Sequence, residues 1–273
     1  MTQTILATGN RGFIGQNVFF TLCENSTYKV IGYDRKEGYE LCDKKQLQKI
    51  FAEFKPSVVV HLASNVSMEQ DKCVEDVQAL VNLLQMCEQH KVKKLIFTSS
   101  AAVYGNHYPE IIPVNSYGLS KLQCEQWCKF YVQRGMDITI LRLANIYGSR
   151  GNGVINKFIE NIKNQKPIIM YGDGHQKRDY THVDDISAII SAIIDNPQDS
   201  DVFNVCTQIS SEIWDVISVL SQLTDNISMQ KMSAPFDEIM NSSMVNSHLV
   251  EKYGYRNFIT LQQGIERLWK ETS

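Results

Sequence analysis

The stretch Thr8-Gly9-Asn10-Arg11-Gly12-Phe13-Ile14-Gly15 decides the fold, because it joins an apolar segment at residues 4–7 to a segment with helical spacing at residues 13–22. Its glycines permit a tight turn, a close approach of the backbone to a pyrophosphate and close packing of the helix on the sheet. The N-terminus of the helix then presents free N–H groups to the phosphates. The stretch therefore predicts the turn of a dinucleotide-binding fold, with cofactor contacts from Gly9, Arg11, Gly12, Phe13, Ile14 and Gly15.

Outside this stretch, apolar strands alternate with amphipathic helices through the first half of the chain. Strands are predicted at residues 4–7, 29–33, 57–62, 94–98 and 137–143, and helices at residues 13–22, 46–54, 74–90 and 117–134. Near-continuous apolar strands between such helices indicate a parallel sheet that is covered on both faces. The predicted fold class is therefore α/β, with a Rossmann-type doubly wound parallel sheet.

The second half of the chain has a looser pattern. Helices are predicted at residues 154–164, 183–194, 211–223 and 261–270, and a strand at residues 202–205. We expect residues 1–148 to form an NAD(P)-binding Rossmann domain to which later segments return. Residues 149–273 should form mainly a small α+β substrate-binding lobe.

Composition and charge restrict the possible partners. The 273 residues carry a net charge of −3 without a run of Lys and Arg, so we expect no nucleic-acid partner. No apolar run approaches the roughly 20 residues of a membrane span, so we expect no membrane partner. The seven cysteines lack the spacing of a metal site, and free thiols indicate a reducing compartment. Since the chain begins without the features of a signal peptide, we expect a cytoplasmic protein. Since the cysteines lack metal-site spacing, we expect no metal.

The second predicted strand ends at Asp34, about twenty residues after the glycine turn, where a carboxylate can hold the ribose hydroxyls of an adenosine. Asp34 favours NAD because it would repel the 2′-phosphate of NADP. Arg35 and Arg11 could each pair with such a phosphate, or could simply be exposed. The sequence thus favours NAD and leaves NADP open.

Tyr117 and Lys121 lie four residues apart at the start of a predicted helix, and therefore on one face. A lysine ammonium beside a phenol favours the phenolate, which makes Tyr117 a usable general acid and base. Ser100 follows the fourth predicted strand, at the sheet edge where such folds bind ligands, and its hydroxyl can hydrogen-bond a reacting oxygen. Each feature is common by itself on a helix surface or in a turn. Together with the glycine turn they predict a redox site.

Several motifs resemble those of the extended short-chain dehydrogenase/reductase family of NAD-dependent epimerases and dehydratases. They cover nearly the whole chain in the family's order: T-G-x-x-G-F-I-G at 8–15, H-L-A-S at 61–64, S-S-A-A-V-Y-G at 99–105, Y-G-L-S-K at 117–121, L-R-L-A-N-I-Y-G at 141–148 and R-D-Y-T-H-V-D-D at 178–185. The family includes UDP-galactose 4-epimerase, sugar-nucleotide 4,6-dehydratases and 4-keto-sugar reductases.

The resemblance implies a catalytic triad of Ser100, Tyr117 and Lys121. Tyr117 would exchange the proton of a sugar hydroxyl, Ser100 would orient its oxygen, and Lys121 would also hold the nicotinamide ribose. The implied cofactor contacts are Asp34, Arg35, Glu40, Leu41, Leu62, Ala63, Ser64, Ser99, Tyr117 and Lys121, and the implied substrate contacts are Ser100, Asn145 and Arg178. Arg178 would bind the diphosphate, and a salt bridge to Asp179 or Asp184 is the alternative.

The residues after Ser100 discriminate among the family's reactions. Dehydratases carry an acidic pair there, whereas this chain has Ala101-Ala102, which argues against a dehydratase. We expect redox chemistry at a ring carbon, C4 in the first instance, of a nucleoside-diphosphate sugar by a sugar-nucleotide epimerase. An NDP-4-keto-6-deoxyhexose reductase is the close alternative, and a non-catalytic NAD(P)-binding regulator on the same fold is the third.

The chain also departs from the family pattern. Asp76 stands where the family usually has an asparagine, and residues 234–244 contain no clear counterpart of the family's second phosphate-binding arginine. The resemblance further implies a homodimer through the helices at 74–90 and 117–134. Its apolar contact positions would be Leu80, Leu84, Trp127 and Phe130, and the alternative is that these residues belong to the core.

Overall fold

The computed structural model describes residues 2–233 and 239–272. Its strands are β1 (Gln3–Thr8), β2 (Tyr28–Tyr33), β3 (Val58–His61), β4 (Lys94–Ser100), β5 (Ile138–Leu143), β6 (Asn145–Tyr147), β7 (Ile168–Tyr171), β8 (Lys177–His182), β9 (Asp201–Val205), β10 (Ser210–Ser211), β11 (Met229–Met232) and β12 (Asn241–Ser242). Its α-helices are α1 (Phe13–Glu24), α2 (Lys44–Phe54), α3 (Gln70–Gln89), α4 (Ser116–Gln133), α5 (Val154–Lys163), α6 (Val183–Asp195), α7 (Ile213–Ser221), α8 (Ser247–Tyr253) and α9 (Leu261–Glu271). Short 3-10 helices span Arg35–Glu37 and Ala101–Tyr104.

The central sheet has six strands in the order β2-β1-β3-β4-β5-β9, and every neighbouring pair is parallel. This confirms the predicted Rossmann-type sheet. The chain runs outward from β1 to β2 and then returns to place β3 on the other side of β1. Such a reversal leaves a crevice at the carboxyl ends of the strands, where ligands of open α/β sheets bind.

Helices cover both faces of the central sheet. On one face α2, α3 and α4 pack through residues such as Phe51, Leu83 and Cys128, and on the other α1 and α6 pack through residues such as Val18 and Ile190. Neighbouring residues of one strand serve opposite cores, because successive side chains of a strand alternate in direction.

Two residues predicted at a dimer interface belong to this core instead. Leu80 and Leu84 are both 0% exposed, within the cluster formed by α2, α3 and α4. The alternative that they belong to the core is therefore the correct one for them. Spacing left both possibilities open because a core face and an interface face of a helix have the same apolar spacing. Trp127 and Phe130 do lie at the surface, with exposed fractions of 40% and 47%.

The second half of the chain is shared between the sheet and a smaller lobe. α6 packs on the sheet and β9 forms its last strand. The lobe has its own apolar core from α5, α7 and α9 and from residues of β6, β7 and β8. β8 pairs with β6 and β12 in parallel and with β10 in antiparallel, and β11 pairs with β7.

The short elements of this lobe are absent from the sequence prediction. β8 reads Lys-Arg-Asp-Tyr-Thr-His, which shows no apolar alternation, and every residue of β11 is exposed. Pairing with distant strands, rather than local pattern, therefore defines them. All seven cysteines are free thiols, as expected. Across the described ranges, no helix combines the length and apolar character that a membrane crossing needs.

Candidate active site

The glycine turn between β1 and α1 lies directly against the end of β3. Gly9 has a φ of +73°, and a Cβ there would lie 2.5 Å from the backbone N of Ala63. At Gly15 a Cβ would lie 1.9 Å from the carbonyl oxygen of Gly9. α1 then starts at Phe13 with no side-chain cap on its first N–H groups. The turn thus keeps space and backbone donors for a phosphate group close to the sheet.

A cavity of about 150 Å³ opens beside this turn. It brings together many of the predicted cofactor residues, namely Gly9, Gly12, Asp34, Arg35, Glu40, Leu41, Leu62, Ala63 and Ser64. Phe13, Ile14 and Gly15 belong to the first turn of α1, and Arg11 lies beside Asp34, to which its backbone N–H donates at 3.1 Å. The cavity has the place and composition expected for the adenosine half of a dinucleotide.

Carboxylates dominate the charge of this end of the crevice. The Arg11 guanidinium pairs with Glu37 at 2.6 Å, and that of Arg35 pairs with Glu40 at 2.7 Å. Because of Arg11 and Arg35, the sequence alone did not exclude NADP as the cofactor. In the structure, both arginines form ion pairs with glutamates. A 2′-phosphate would meet the Asp34 carboxylate and these acids, so the arrangement fits NAD rather than NADP.

One set of potential metal ligands borders the same cavity. Among the described residues, Glu40, Cys42 and Glu75 place ligand atoms within 4.8 Å of one another. Arg35 pairs with both of these carboxylates and so supplies positive charge at this point. The expectation that the chain holds no metal stays a prediction.

The lysine and tyrosine of the predicted triad lie together at the start of α4. Asn115 caps this helix, with its Oδ1 accepting from the backbone N–H of Gly118 at 2.9 Å. Lys121 is 4% exposed, and its Nζ donates to the Thr98 carbonyl at 3.0 Å while lying 5.9 Å from the centre of the Tyr117 ring. The ammonium is thereby held at the end of β4, close to the phenol.

Ser100, at the end of β4, and Tyr117 line the same cavity, whose volume is about 460 Å³. The Ser100 Oγ accepts from the backbone N–H of Ala102 at 3.1 Å and so caps the 3-10 helix that follows. Asn115 also lines this cavity, although the sequence analysis did not single it out. The asparagine immediately before the tyrosine-bearing helix is a typical N-cap signal that could have identified it.

Asn145 and Arg178 lie where this cavity meets a second one of about 310 Å³ in the lobe, because both residues line both cavities. They stand on the paired strands β6 and β8. The carboxylates that were alternative partners of Arg178 have other contacts. Asp179 accepts from Thr207, and Asp184 lies 3.8 Å from Arg267. Ser242 of β12 adds a side chain near Asn145 that the sequence analysis missed.

The side chain of Ser99 does not point into the crevice. Its hydroxyl points to the opposite side of β4 from Ser100 and donates to Glu125 Oε1 at 2.6 Å, with Ser99 only 3% exposed. The Ser99 side chain therefore makes no contact in the crevice, since neighbouring side chains of a strand face opposite ways, and a cofactor contact from its backbone stays a prediction. Of residues 234–244, where no second phosphate-binding arginine was expected, residues 234–238 lie outside the described part of the chain.

Asp76 holds a cofactor-side loop. Its carboxylate accepts from Ser64 Oγ at 2.8 Å and from the backbone N–H and side-chain amide of Asn65 at 2.8 and 2.7 Å. Burial raises the pKa of the Asp76 carboxyl, while these hydrogen bonds and Lys121 oppose that rise. The departure from the family's usual asparagine is thus accommodated by local donors.

The buried imidazole of His61 contacts the end of β1 and lies near Lys121. Its Nδ1 lies 2.7 Å from Thr8 Oγ1, at the end of β1. Burial, together with the nearby Lys121 ammonium, lowers the pKa of His61 to about 3. The ring is therefore neutral at physiological pH and adds no charge beside the lysine.

Comparison with known proteins agrees with this geometry. The model of the NAD dependent epimerase/dehydratase family matches residues 5–206. A putative UDP-glucose 4-epimerase of Methanocaldococcus jannaschii is 30% identical over 97% of this chain and 96% of its own. The solved UDP-glucose 4-epimerase of Thermotoga maritima, with UDP-glucose, superposes with a TM-score of 0.93 at 25% identity, over 99% of this chain and 98% of its own. That of Thermus thermophilus, in complex with NAD, gives a TM-score of 0.88 at 25% identity, over 98% of both chains.

The chain belongs to the NAD dependent epimerase/dehydratase family, which is the extended short-chain dehydrogenase/reductase family identified from its motifs. It is an NAD-dependent enzyme of that family. Reductases and dehydratases also occur among the relatives, so family membership by itself leaves the reaction to be argued from the site.

Proposed function

We propose that this enzyme is a nucleotide-sugar 4-epimerase that uses bound NAD and acts on UDP-linked hexoses. The observation that carries the proposal is the convergence of Ser100 and Tyr117 on one cavity, with the Lys121 ammonium beside the phenol. The names of the relatives from Methanocaldococcus jannaschii and Thermotoga maritima support the substrate class.

The residues of this chain suit the two proton transfers of such a reaction. Tyr117 takes the proton of the C4 hydroxyl as its oxygen becomes a ketone, and returns it when the ketone is reduced again. Ser100 donates to that oxygen, and the Lys121 ammonium places a positive charge close to the phenol. NAD supplies the acceptor and then the donor of the hydride. The glycine cradle, which a Cβ would fill, and the Asp34 carboxylate would hold it.

The substrate cavities suit a ligand that is anchored at one end and mobile at the other. Arg178 and Asn145 would hold the diphosphate at the junction of the two cavities, with the nucleoside in the lobe. The sugar would lie in the cavity of about 460 Å³ beside Tyr117. An epimerase needs this freedom, because the ketone must present its other face before the hydride returns.

The described lining of the sugar cavity speaks against a dehydratase. Elimination of water needs an acid and a base near C5 and C6, whereas the two residues after Ser100 are alanines that line the cavity. No Asp or Glu occurs among the described residues of that lining. The 4-keto-sugar reductase and the non-catalytic NAD-binding regulator remain as outcomes of the test.

The test begins with mass spectrometry of the cofactor released from purified protein, followed by assays with UDP-glucose, UDP-galactose, UDP-N-acetylglucosamine and UDP-glucuronate. We expect retained NAD and interconversion of a C4 epimer pair without net cofactor consumption. Tyr117→Phe should abolish turnover while NAD stays bound. Tyr131→Phe, which is buried in the core at the other end of the same helix, is the matched control and should keep turnover.

Other outcomes of this assay would replace the proposal. Stoichiometric oxidation of added NADH or NADPH by a 4-keto sugar would establish a reductase. Retained NAD with no turnover by the wild-type protein on any substrate of the panel, including a 4-keto sugar, would favour the regulator.

We also propose a homodimer through the exposed face of α3 and α4. A groove between these helices is lined by Val74, Val77, Gln78, Val81, Gln123, Gln126 and Trp127. Val74 is 67% exposed, and Phe130 stands beside Trp127 with ring centres 5.9 Å apart. Light scattering should give a dimer for the wild type and a monomer for Trp127→Glu. Ile209→Glu, at an exposed position outside these helices, should leave the dimer intact.

A further inference from the structure

A buried network of polar side chains joins α4 to β4 and β5, next to the proposed catalytic residues. Its centre is the ion pair of Glu125 in α4 with Arg142 in β5. Arg142 Nη2 donates to Glu125 Oε2 at 2.6 Å, and Nε donates to Oε1 at 2.9 Å. Glu125 is 0% exposed and Arg142 is 7% exposed. Burying two charges is costly, and an apolar pair of similar volume is often at least as stable, so stability alone does not explain the pair.

The first arm of this network holds the strand that carries Ser100. Ser99 Oγ donates to Glu125 Oε1 at 2.6 Å. Because Ser99 and Ser100 are consecutive and face opposite sides of β4, fixing one side chain fixes the rotation of the strand end that directs the other.

The second arm reaches the 3-10 helix that follows Ser100. Arg142 Nη1 donates to the Tyr104 hydroxyl at 2.6 Å, and this hydroxyl donates to Asn204 Oδ1 at 2.8 Å. Tyr104 is the last residue of the 3-10 helix whose first turn is capped by the Ser100 hydroxyl. The position of Tyr104 therefore affects the position of the hydroxyl that would contact substrate.

The third arm is α4 itself. Tyr117, Lys121 and Glu125 are spaced by four residues and so lie along one face of the helix. Near its start, Gly118 approaches the 3-10 helix so closely that a Cβ would lie 2.4 Å from the carbonyl oxygen of Ala102. One ion pair thus joins the helix of the general acid and base to the strand and turn that carry Ser100.

We infer that Glu125 and Arg142 are positioning residues that hold the Ser100 hydroxyl in register with the Tyr117 phenol. The inference rests on the proposed function, because it assumes that both groups act on one substrate oxygen. When two side chains act on one substrate oxygen, the reaction rate depends strongly on their positions. A displacement of one of them by about 1 Å can lower the rate by about 100-fold. A pair that served stability alone would not affect the turnover of the folded protein.

The test replaces the pair by apolar residues of similar size in the full chain, as Glu125→Leu/Arg142→Met. With the UDP-sugar that the substrate panel identifies, we expect kcat to fall by about 10- to 100-fold while KM and NAD affinity stay within about threefold. The matched control is Glu88→Leu/Arg134→Met, which removes an exposed ion pair of 2.7 Å between α3 and the end of α4. This control should leave kcat unchanged.

A milder variant keeps the inference testable if the apolar pair does not fold. Tyr104→Phe retains the ring but removes the second arm, and should lower kcat by about 3- to 10-fold without a change in KM. In the Glu125→Leu/Arg142→Met protein the same substitution should have little further effect, because the bond to Arg142 is already gone.

Wild-type kcat in a folded Glu125→Leu/Arg142→Met protein would overturn the inference. If that protein does not fold, wild-type kcat in Tyr104→Phe would overturn it equally. These failures are distinct from failure of the proposed function, which would appear as turnover by Tyr117→Phe whatever the network variants do.

Discussion

The two ends of the proposed site, one for the cofactor and one for the substrate, are built in different ways. The cofactor end is formed by backbone, where the glycine turn lies against the end of β3 with no space for a Cβ. The substrate end is formed by side chains on short strands, with Asn145, Arg178 and Ser242 drawn from β6, β8 and β12. A site formed by closely packed backbone cannot accept even one added carbon atom without moving. A site formed by side chains can lose one contact and keep the others. Substitutions in the glycine turn should therefore act almost as an on–off change, whereas substitutions of ligand-contacting side chains should act by degrees.

The largest expected effect is at Gly9. Gly9→Ala introduces a Cβ 2.5 Å from Ala63 N at a φ of +73°, so we expect NAD affinity to fall by about 100-fold or more. Isothermal titration of the cofactor-free protein measures it. Gly135→Ala is the control, because it has a φ of +94° with nothing within 4 Å of the added atom. An NAD affinity as low in Gly135→Ala as in Gly9→Ala would show that backbone strain, and not the close contact, matters.

The next effect is expected at the substrate end. Arg178→Met should raise KM for the UDP-sugar by about 10- to 100-fold, because a charged hydrogen bond to a phosphate is lost. NAD binding should not change, and steady-state kinetics with cofactor titration measure both. Lys177→Met removes the neighbouring exposed cation and should change KM little. Equal effects of the two variants would mean that general charge, rather than the position of Arg178, attracts the substrate.

The buried His61 should make the stability of the cofactor end depend on pH. Burial lowers its folded pKa to about 3, whereas the unfolded imidazole takes up a proton near pH 6.5. Stability from this group is therefore complete above about pH 6.5 and falls as the pH drops, by up to about 1.4 kcal/mol per pH unit. Urea unfolding at pH 7 and pH 5 should thus show a loss of about 2 kcal/mol in the free energy of unfolding.

His61→Gln should flatten this pH dependence, since an amide has no proton to gain in this range. His248→Gln removes an exposed histidine and should leave most of the slope in place. The same slope in His61→Gln as in wild type would assign the acid sensitivity to other groups.

The smallest expected effect is at Asp34. Asp34→Asn keeps an oxygen for the backbone N–H of Arg11 or Lys36 but removes the charge, so NAD affinity should fall by about tenfold. The preference for NAD over NADP should narrow by a similar factor. Binding titrations with both cofactors measure it, and Glu53→Gln at an exposed position of α2 is the control. An unchanged preference would place the discrimination on Glu37 and Glu40 instead.

The sequence predicts the glycine turn and the central sheet well because their determinants are local. The glycine turn, the apolar strands and the spacing of Tyr117 and Lys121 are each contained within a few residues. The lobe strands are less visible, because β8 is polar and acquires its burial only by pairing with β6, β10 and β12.

The direction of individual side chains is a second feature, besides the lobe strands, that the local sequence pattern does not predict. Ser99 and Ser100 are identical in type, and only the register of β4 assigns one to the ion pair below and the other to the cavity. Leu80 and Leu84 fit a core and an interface equally well by spacing, and the packing of α3 on the sheet decides between them.

The pairing of β6 with β8 has a consequence for how substrate range could change. Asn145 and Arg178 stand on strands that pair in register, with Asn145 opposite Tyr180. The register of the two strands therefore fixes the distance between Asn145 and Arg178. A ligand that spans the two cavities must match that fixed length. Adaptation to a bulkier or smaller sugar should therefore occur at the borders of the cavity, at positions such as Met68 and Ile239, while the separation of Asn145 and Arg178 stays constant.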